Sequence, residues 1–380
     1  MRGHSGLLRV MNERLVLDHL REHGRSSRVD LARITGLSKP TVSAAMSGLV
    51  EAGLVMHVGE VAGRPGPTTS LYDLNPDAAY VLGVDIGREW IRVGIADLRG
   101  SFRARRDGRN SARTASELVR RARALAFRAA EDASLEWSSL MTAVVGSPGV
   151  FDPGTGGMQL APNLPDWGQP GLVDRLRDSL RVELFLENDV NLAAVGEHAY
   201  GEGRGKQHFV LISVGTGVGM GIVINGALYT GFRGAAGEIG YLPAPESQDL
   251  THGSMEAAVA AASIARHAQA SGLELGSAKE VFAAAADGDA RALKVVRSEG
   301  NRMGGLIVAV AAVLDPELVV LGGGVGRNVV LMREAIQERI AELGPLRPEV
   351  VASGLGESGV LYGAIARALD RAWTLIFAKR

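Results

Sequence analysis

The chain has 380 residues, room for roughly two to four domains, so its cores need no covalent staples. Lys plus Arg number 41 and Asp plus Glu 42, a formal charge of −1, with 46% apolar and 22% charged residues. That balance excludes a polyelectrolyte and a largely disordered chain.

Met1–Arg9 lacks the apolar core of a signal peptide, and no run of 18 apolar residues follows, so a cytoplasmic location without membrane contact is expected. Asn12–His23 reads as a helix with Met11, Leu15, Val16 and Leu20 at helical spacing and Gly24 as its stop. Ser27-Arg28-Val29-Asp30 opens a second helix, Val29–Thr35, in the manner of a capping box. After the Gly36-Leu37 turn, Ser38 can cap a third helix that carries Pro40 in its first turn and runs to Gly53. Two short helices joined by a tight turn predict a helix-turn-helix. Leu54–Gly59 and Thr69–Leu74 alternate like two strands around Glu60–Thr68, which completes a winged helix-turn-helix over 1–75. Residues 1–75 carry 9 basic and 7 acidic side chains, so the excess positive charge lies on this module. Ser38, Lys39, Thr41 and Ser43, with Ser47, suit base edges and phosphates in a major groove. Arg64, in the Gly63–Pro67 loop, is slim enough for a minor groove. The alternative is a helical module for protein contact with a solvated polar face.

Asn75-Pro76-Asp77 marks a boundary. Tyr80–Gly87 (YVLGVDIG) is a buried strand, Trp90–Asp97 a second, and Gly100 begins a third. Ala115–Asp132 is a long helix, and Thr142–Ser147 a strand leading into Pro148-Gly149. Strands alternating with helices predict an α/β architecture. The chain holds 50 glycines and no cysteine; the first means tight turns or close backbone approach, and the second excludes disulfides, Fe–S clusters and thiolate zinc. Val182–Leu186 ends in Glu187-Asn188-Asp189, where a helix begins. A carboxylate at the C-terminal end of a strand lies where α/β sites gather, and Asp189 can take a proton from a hydroxyl. Helix capping by Asn188 or Asp189 is the competing explanation, and both can hold. Phe209–Gly215, a Thr216–Gly219 turn and Met220–Asn225 repeat the opening strand-turn-strand theme, a pair of hairpins able to cradle phosphate.

These motifs resemble the ROK family of repressors and sugar kinases across nearly the whole chain. The signatures are the winged helix, Gly63-Arg64-Pro65 leading into Leu82–Gly87, Ala161–Leu164 with Trp167, Glu187–Glu197, Gly215–Gly221, Gly234–Gly240 and Val319–Gly324. The repressor branch, similar to the xylose and N-acetylglucosamine repressors, fits best. The resemblance implies a two-lobe, actin-like (ribonuclease-H-like) sugar-kinase fold after the winged helix. A first lobe is expected over 76–190 plus the C-terminal helix 358–380, and a second over 191–357. It also implies sugar binding by Gly149, Asn163, Asn188, Asp189, Glu238 and Glu256, with Asp189 the ancestral catalytic base. Asp85, Gly87, Gly215, Thr216, Gly217, Gly322 and Gly323 are the vestigial nucleotide-binding positions.

Two departures from the family pattern bear on function. The first phosphate turn of the kinases reads Asp-x-Gly-Gly-Thr; here Arg88 and Glu89 follow Gly87, adding bulk and negative charge where phosphate would approach. Arg88 can in part stand in as a phosphate clamp. The family's zinc ligands are replaced by Tyr241, Ser247, Asp249 and Ser254, and Asp249 with His252 cannot complete a tetrahedral site, so no metal and no cofactor are expected. Arg99, Arg103, Arg105, Arg106, Arg109 and Arg113 read as a solvated hairpin or as a contact for DNA or a partner. Gly322-Gly323-Gly324 is open between adenine contact and a tight turn. The expectation is a sugar-responsive DNA-binding repressor, not an enzyme, acting as a homodimer or higher oligomer on operator DNA with a sugar or sugar derivative as effector. A bifunctional ATP-dependent sugar kinase with a DNA-binding domain, and a ligand-independent regulator with a drifted cleft, are the alternatives.

Overall fold

The N-terminal helix starts earlier than its pattern suggests. In the computed structural model, which describes residues 2–61, 68–152, 157–159, 164, 166–169, 171–244 and 253–378, α1 spans Arg2–His23 rather than beginning at Asn12. It buries Glu13, Val16, Leu17 and Leu20, whereas Met11 and Leu15, expected in the core, are exposed beside Leu7 and Leu8. Both stripes have helical spacing, and periodicity alone does not say which faces inward. β1 (Ser26–Ser27) and α2 (Arg28–Thr35) follow, with Ser27 accepting from the Asp30 N–H and donating to its carboxylate at 2.7 Å. α3 (Lys39–Glu51) is capped by Ser38, and β2 (Val55–Val61) and β3 (Thr69–Leu74) complete a sheet in the order β1-β3-β2.

Beyond a short 3-10 turn at Pro76–Ala78 come β4 (Tyr80–Ile86), β5 (Trp90–Asp97), β6 (Phe102–Arg109), α4 (Ala115–Asp132) and β7 (Leu140–Ser147). The ribbon β8 (Val150–Asp152) and β9 (Gly157–Gln159), α5 (Leu172–Leu180), β10 (Glu183–Asn188) and α6 (Asp189–Tyr200) follow. The second half contains β11 (Phe209–Val214), β12 (Val218–Ile224), β13 (Ala227–Tyr229), α7 (Ser254–Val259), α8 (Ala261–Ala270), α9 (Ala278–Ala286) and α10 (Ala290–Leu314). It ends with β14 (Leu318–Gly322), α11 (Gly323–Gly326), α12 (Val329–Leu343), β15 (Glu349–Ala352) and α13 (Gly359–Ala378). The two five-stranded sheets, β6-β5-β4-β7-β10 and β13-β12-β11-β14-β15, share one topology: an antiparallel meander of three strands, then two parallel strands. That duplication is the two-lobe actin-like plan. Among the described residues no helix is long and apolar enough to cross a membrane.

β4 shows how the sequence builds its layers. Tyr80, Leu82, Val84 and Ile86 join the cluster under α4 and α5, while Val81 joins the cluster under α13. At Gly83, on that second face, an added Cβ would meet Ile365 at 3.0 Å. The α13-side cluster does not stop at the sheet. It runs from Val81, Val144 and Ile365 through Ala372, Trp373 and Ile376 to Val16, Leu20, Leu31 and Leu49 of the winged module. Arg14 lies over Phe377 and Arg21 over Trp373, 5.6 and 5.7 Å from the ring centres. The Asn75-Pro76-Asp77 boundary is pinned as well: Asn75 Nδ2 donates to Gly53 O, and Leu98 N to Pro76 O. The winged module is therefore seated on the first lobe rather than tethered to it.

α13 crosses α6 at backbone contact. An added Cβ at Gly363 would lie 1.8 Å from Leu192 O, and one at Gly196 2.3 Å from Gly359 O. Replacing Gly363 by Ala should lower stability by roughly 1–3 kcal/mol, the usual cost of overpacking. Urea unfolding reads this directly, and an unchanged midpoint would contradict the close crossing.

Candidate functional site

Between the two sheets lies a cavity of about 210 Å³ lined by Pro148-Gly149, Asn188–Asn191, Gly215–Met220, Gly237-Glu238, Glu256 and Arg88. The elements place these groups for local reasons. Trp167, fully buried, donates from Nε1 to Ser147 Oγ at 2.6 Å and fixes the turn into Gly149. Asn188 caps α6 by accepting from Asn191 N (3.0 Å), and its Nδ2 donates to Gly149 O (3.1 Å). The capping explanation for Asn188 thus holds, and its amide is already engaged. Asp189 opens α6, and its carboxylate accepts from Val190 N at 2.9 Å. Burial pushes its pKa up to about 6 against the lowering effect of that backbone donor. Glu238 is also shifted up, by burial first and then by the charges of Asp189 and Glu256. Glu256 accepts from Val218 N at 2.9 Å, and a Cβ on Gly217 would meet its carboxylate at 2.9 Å.

Gly149, Asn188, Asp189, Glu238 and Glu256 therefore line one cavity with Gly215, Thr216 and Gly217. Asp85, Gly87, Gly322 and Gly323 do not line it. Asp85 is buried and paired with Arg92 at 3.0 Å. Burial lifts its pKa to about 7 even against that guanidinium, with Asp189 adding to the rise. Arg92 in turn meets Glu357, which meets Arg327, each at 2.9 Å, a chain of charges from β5 to the end of α11. Sequence reading missed Arg92; the signal was the hairpin register, which sets Asp85 opposite Arg92. Gly323 has φ +76° and a Cβ there would sit 2.3 Å from Val214 O, so backbone approach to β11 accounts for it.

Glu89 does not line the cavity, and its exposed carboxylate lies 3.8 Å from the Arg109 guanidinium. Arg99, Arg103, Arg105 and Arg106 are likewise bound by Asp73, Asp97, Asp107 and Asp132, the solvated-hairpin alternative. Ser254 accepts from Ala244 N and donates to Leu242 O, so a hydroxyl staples the position where a thiolate was the family pattern. Among the described residues no group of three His, Cys, Asp or Glu is placed to hold a metal ion, and with no cysteine in the chain the residues do not fit the zinc site. Asn163, Ser247, Asp249, His252 and Arg64 lie outside the described residues.

On the winged module, Ser38 and Lys39 are exposed at the start of α3, and Thr41 and Ser43 are half-buried. The Ser38 and Thr41 hydroxyls bond each other at 2.8 Å in the helix cap. Lys39 and Ser43 make no side-chain hydrogen bond or ion pair among the described residues, and of the two Lys39 is the exposed one.

The comparisons agree with this division. A family model described as winged helix-turn-helix DNA-binding matches residues 12–56, and the ROK family model matches residues 81–371. The xylose repressor of Caldicellulosiruptor bescii is 25% identical over 97% of this chain and 98% of its own length. The glucokinase of Thermotoga maritima is 29% identical over 77% of this chain and 98% of its own. A solved ROK family transcriptional regulator, a homologue of the Escherichia coli MLC protein, superposes with a TM-score of 0.78 at 22% identity. It spans 97% of this chain and 98% of that one.

A carboxyl with a raised folded pKa holds a proton that the unfolded chain has already shed, so it destabilises the fold as pH rises between about 4 and 6. Asp189→Asn should therefore stabilise the protein by on the order of 1–3 kcal/mol above pH 7, and by little below pH 4. Thermal midpoints across pH test this; a gain that is larger in acid would be inconsistent with a raised Asp189.

Proposed function

The chain belongs to the ROK family, and on that premise we propose that it is a sugar-responsive transcriptional repressor whose sugar-kinase cleft serves as the effector sensor. One observation carries the reading: the two halves of the cleft have fared differently. The sugar half keeps Asp189, Glu238 and Glu256 with Asn188 and Gly149 around a single cavity. In the nucleotide half, Asp85 is held by Arg92 rather than left to face a phosphate. Carboxylates and carboxamides suit vicinal hydroxyls, and a site of that kind rejects analogues lacking one.

In this account Asp189 and its neighbours bind sugar hydroxyls and no phosphoryl group is transferred. Sugar closes the lobes, α6 moves with them, and α13 passes the movement to the winged module seated on it. A homodimer would set two such modules, with Ser38, Lys39, Thr41 and Ser43 toward the groove and Arg64 in the wing, on a two-fold operator. For release, the sugar must favour the non-binding state by a coupling of about 1–3 kcal/mol.

A second reading, a kinase fused to a DNA-binding domain, is favoured by Asp189 itself, since a carboxyl near 6 is a serviceable base at neutral pH. Thermal unfolding against free sugars and sugar phosphates, with and without Mg-ATP, separates the two, because a ligand of the folded state raises the midpoint. We expect one sugar or its ester to raise the midpoint, Mg-ATP to add nothing, and Asp189→Ala to abolish the shift without loss of DNA binding. Lys39→Ala should weaken DNA binding and keep the sugar shift. A midpoint raised by Mg-ATP, with turnover, would replace this reading by the kinase.

A further inference from the structure

α7 carries Glu256 to the wall of the cavity, yet it is six residues long, too short to hold its own geometry in water. Its ends are fixed from outside. At its start Ser254 Oγ donates to Leu242 O, and the Glu256 carboxylate accepts from Val218 N, the first N–H of β12. At its end Ala260 N closes on Glu256 O, which leaves the next two carbonyls to outside donors. Ala257 O accepts from Arg266 Nη2 at 2.9 Å, and Ala258 O from Ser263 Oγ at 2.8 Å. Arg266 is exposed and loses rotamer freedom to make its bond, whereas the Ser263 link is short and buried.

Ser263 is the last member of a chain of side chains that begins on α10. Glu299, fully buried, is paired with Arg302 Nη1 at 3.2 Å. Arg302 Nη2 lies 3.3 Å from His267 Nε2, and His267 Nδ1 lies 3.2 Å from Ser263 Oγ. A guanidinium has only donors, so Nε2 accepts and the ring proton sits on Nδ1, an assignment made by the network itself. Nδ1–H then donates to Ser263 Oγ, and the hydroxyl proton goes to Ala258 O. Every donor thus points one way, from the ion pair on α10 to the last turn of α7. Hydrogen bonds in such a series polarise and strengthen one another. None of these four residues lines the cavity.

We propose that Ser263, His267 and Arg302 are positioning residues for Glu256. They hold the last turn of α7 so that the carboxylate stays on Val218 N and at the cavity wall. The proposal rests on the sugar-sensing reading for what Glu256 binds, and it extends that site to three residues on α8 and α10. The competing explanation is that the chain only fastens α8 to α10.

Amide exchange followed by NMR on the full chain separates the two, because Val218 N–H is protected by the Glu256 carboxylate and Ala260 N–H by α7. Ser263→Ala cuts the last link, and His267→Leu cuts the middle one without opening a large void. Each should speed exchange at Val218 and Ala260 about tenfold, the worth of one hydrogen bond, and leave Asn191 N–H in the α6 cap unchanged. His267→Asn, whose amide can donate where Nδ1–H does, should recover much of the protection. Arg297→Ala, on α10 but paired with Glu334 and Glu338, should change neither amide.

Calorimetry with glucose, N-acetylglucosamine and xylose reads the consequence. A sugar bound by the parent chain should bind His267→Leu several-fold more weakly. In a Glu256→Ala background the same substitution should add almost nothing, since residues that act through one group are not additive. Unchanged exchange at Val218 and Ala260, or a rise spread evenly over the second lobe, would overturn the proposal and spare the sugar sensor. An undiminished effect of His267→Leu in the Glu256→Ala background would overturn it too. If the parent chain binds none of the three sugars, the sugar reading falls, and exchange at Val218 still decides for or against the positioning of Glu256.

Discussion

The crossing of α6 and α13 is the constraint on which the rest of the molecule depends. Two glycines, Gly196 against the Gly359 carbonyl and Gly363 against that of Leu192, bring the two helices to backbone contact, closer than a side chain at either position permits. At its N-terminus α6 places Asp189 in the cleft; along its length α13 covers the first sheet and then joins the core of the winged module. Glu197, fully buried, fixes the same helix to the segment that follows β15. Its carboxylate accepts from Ser353 Oγ, from Leu355 N and from Glu202 N. A buried carboxylate with three donors is satisfied and rigid, whereas removing one partner would be costly. Two helices in contact thus run from the cavity to the core of the winged module.

The charge chain Asp85–Arg92–Glu357–Arg327 gives the cleft its asymmetry. It runs from the first lobe, by the turn that opens α13, to the residue after α11 in the second lobe. Arg92 and Asp85 are largely buried, so this pair is screened less than a surface bridge. The opposite wall keeps Asp189 and Glu238, both with raised pKa values, and backbone donors with no acceptor among the described residues, groups of a kind that suits hydroxyls. On the proposed reading, one scaffold serves recognition where its kinase relatives serve transfer.

Much of the fold was legible because its local signals agreed. Ser27, Ser38 and Asn188 were readable as caps and act as caps, and the two strand-turn-strand repeats became the paired meanders of the two sheets. What failed were choices that only packing makes. Met11 and Leu15 have the same spacing as the true core stripe, and nothing local separates them from Val16 and Leu20. Glu89 was set near phosphate by its place in a motif, and the fold adds a partner the motif did not show, Arg109 at the end of β6. Arg92 was recoverable from hairpin register, but its second partner, Glu357, is 265 residues away in sequence and invisible to any local pattern. The cavity followed motif positions in its sugar half, where each group is fixed by a strand end or helix start. It departed from them at Asp85, Gly322 and Gly323, where pairing and backbone approach decide.

The account stands or falls on coupling between the cleft and the winged module. The direct measurement is fluorescence anisotropy of a duplex selected by this protein from a random pool, with effector titrated into the complex. A sugar or sugar phosphate that binds the cleft should weaken DNA affinity by about five- to 150-fold, the range of a 1–3 kcal/mol coupling, and Mg-ATP should leave it unchanged. DNA affinity indifferent to a ligand shown to occupy the cleft would contradict the coupling through α6 and α13.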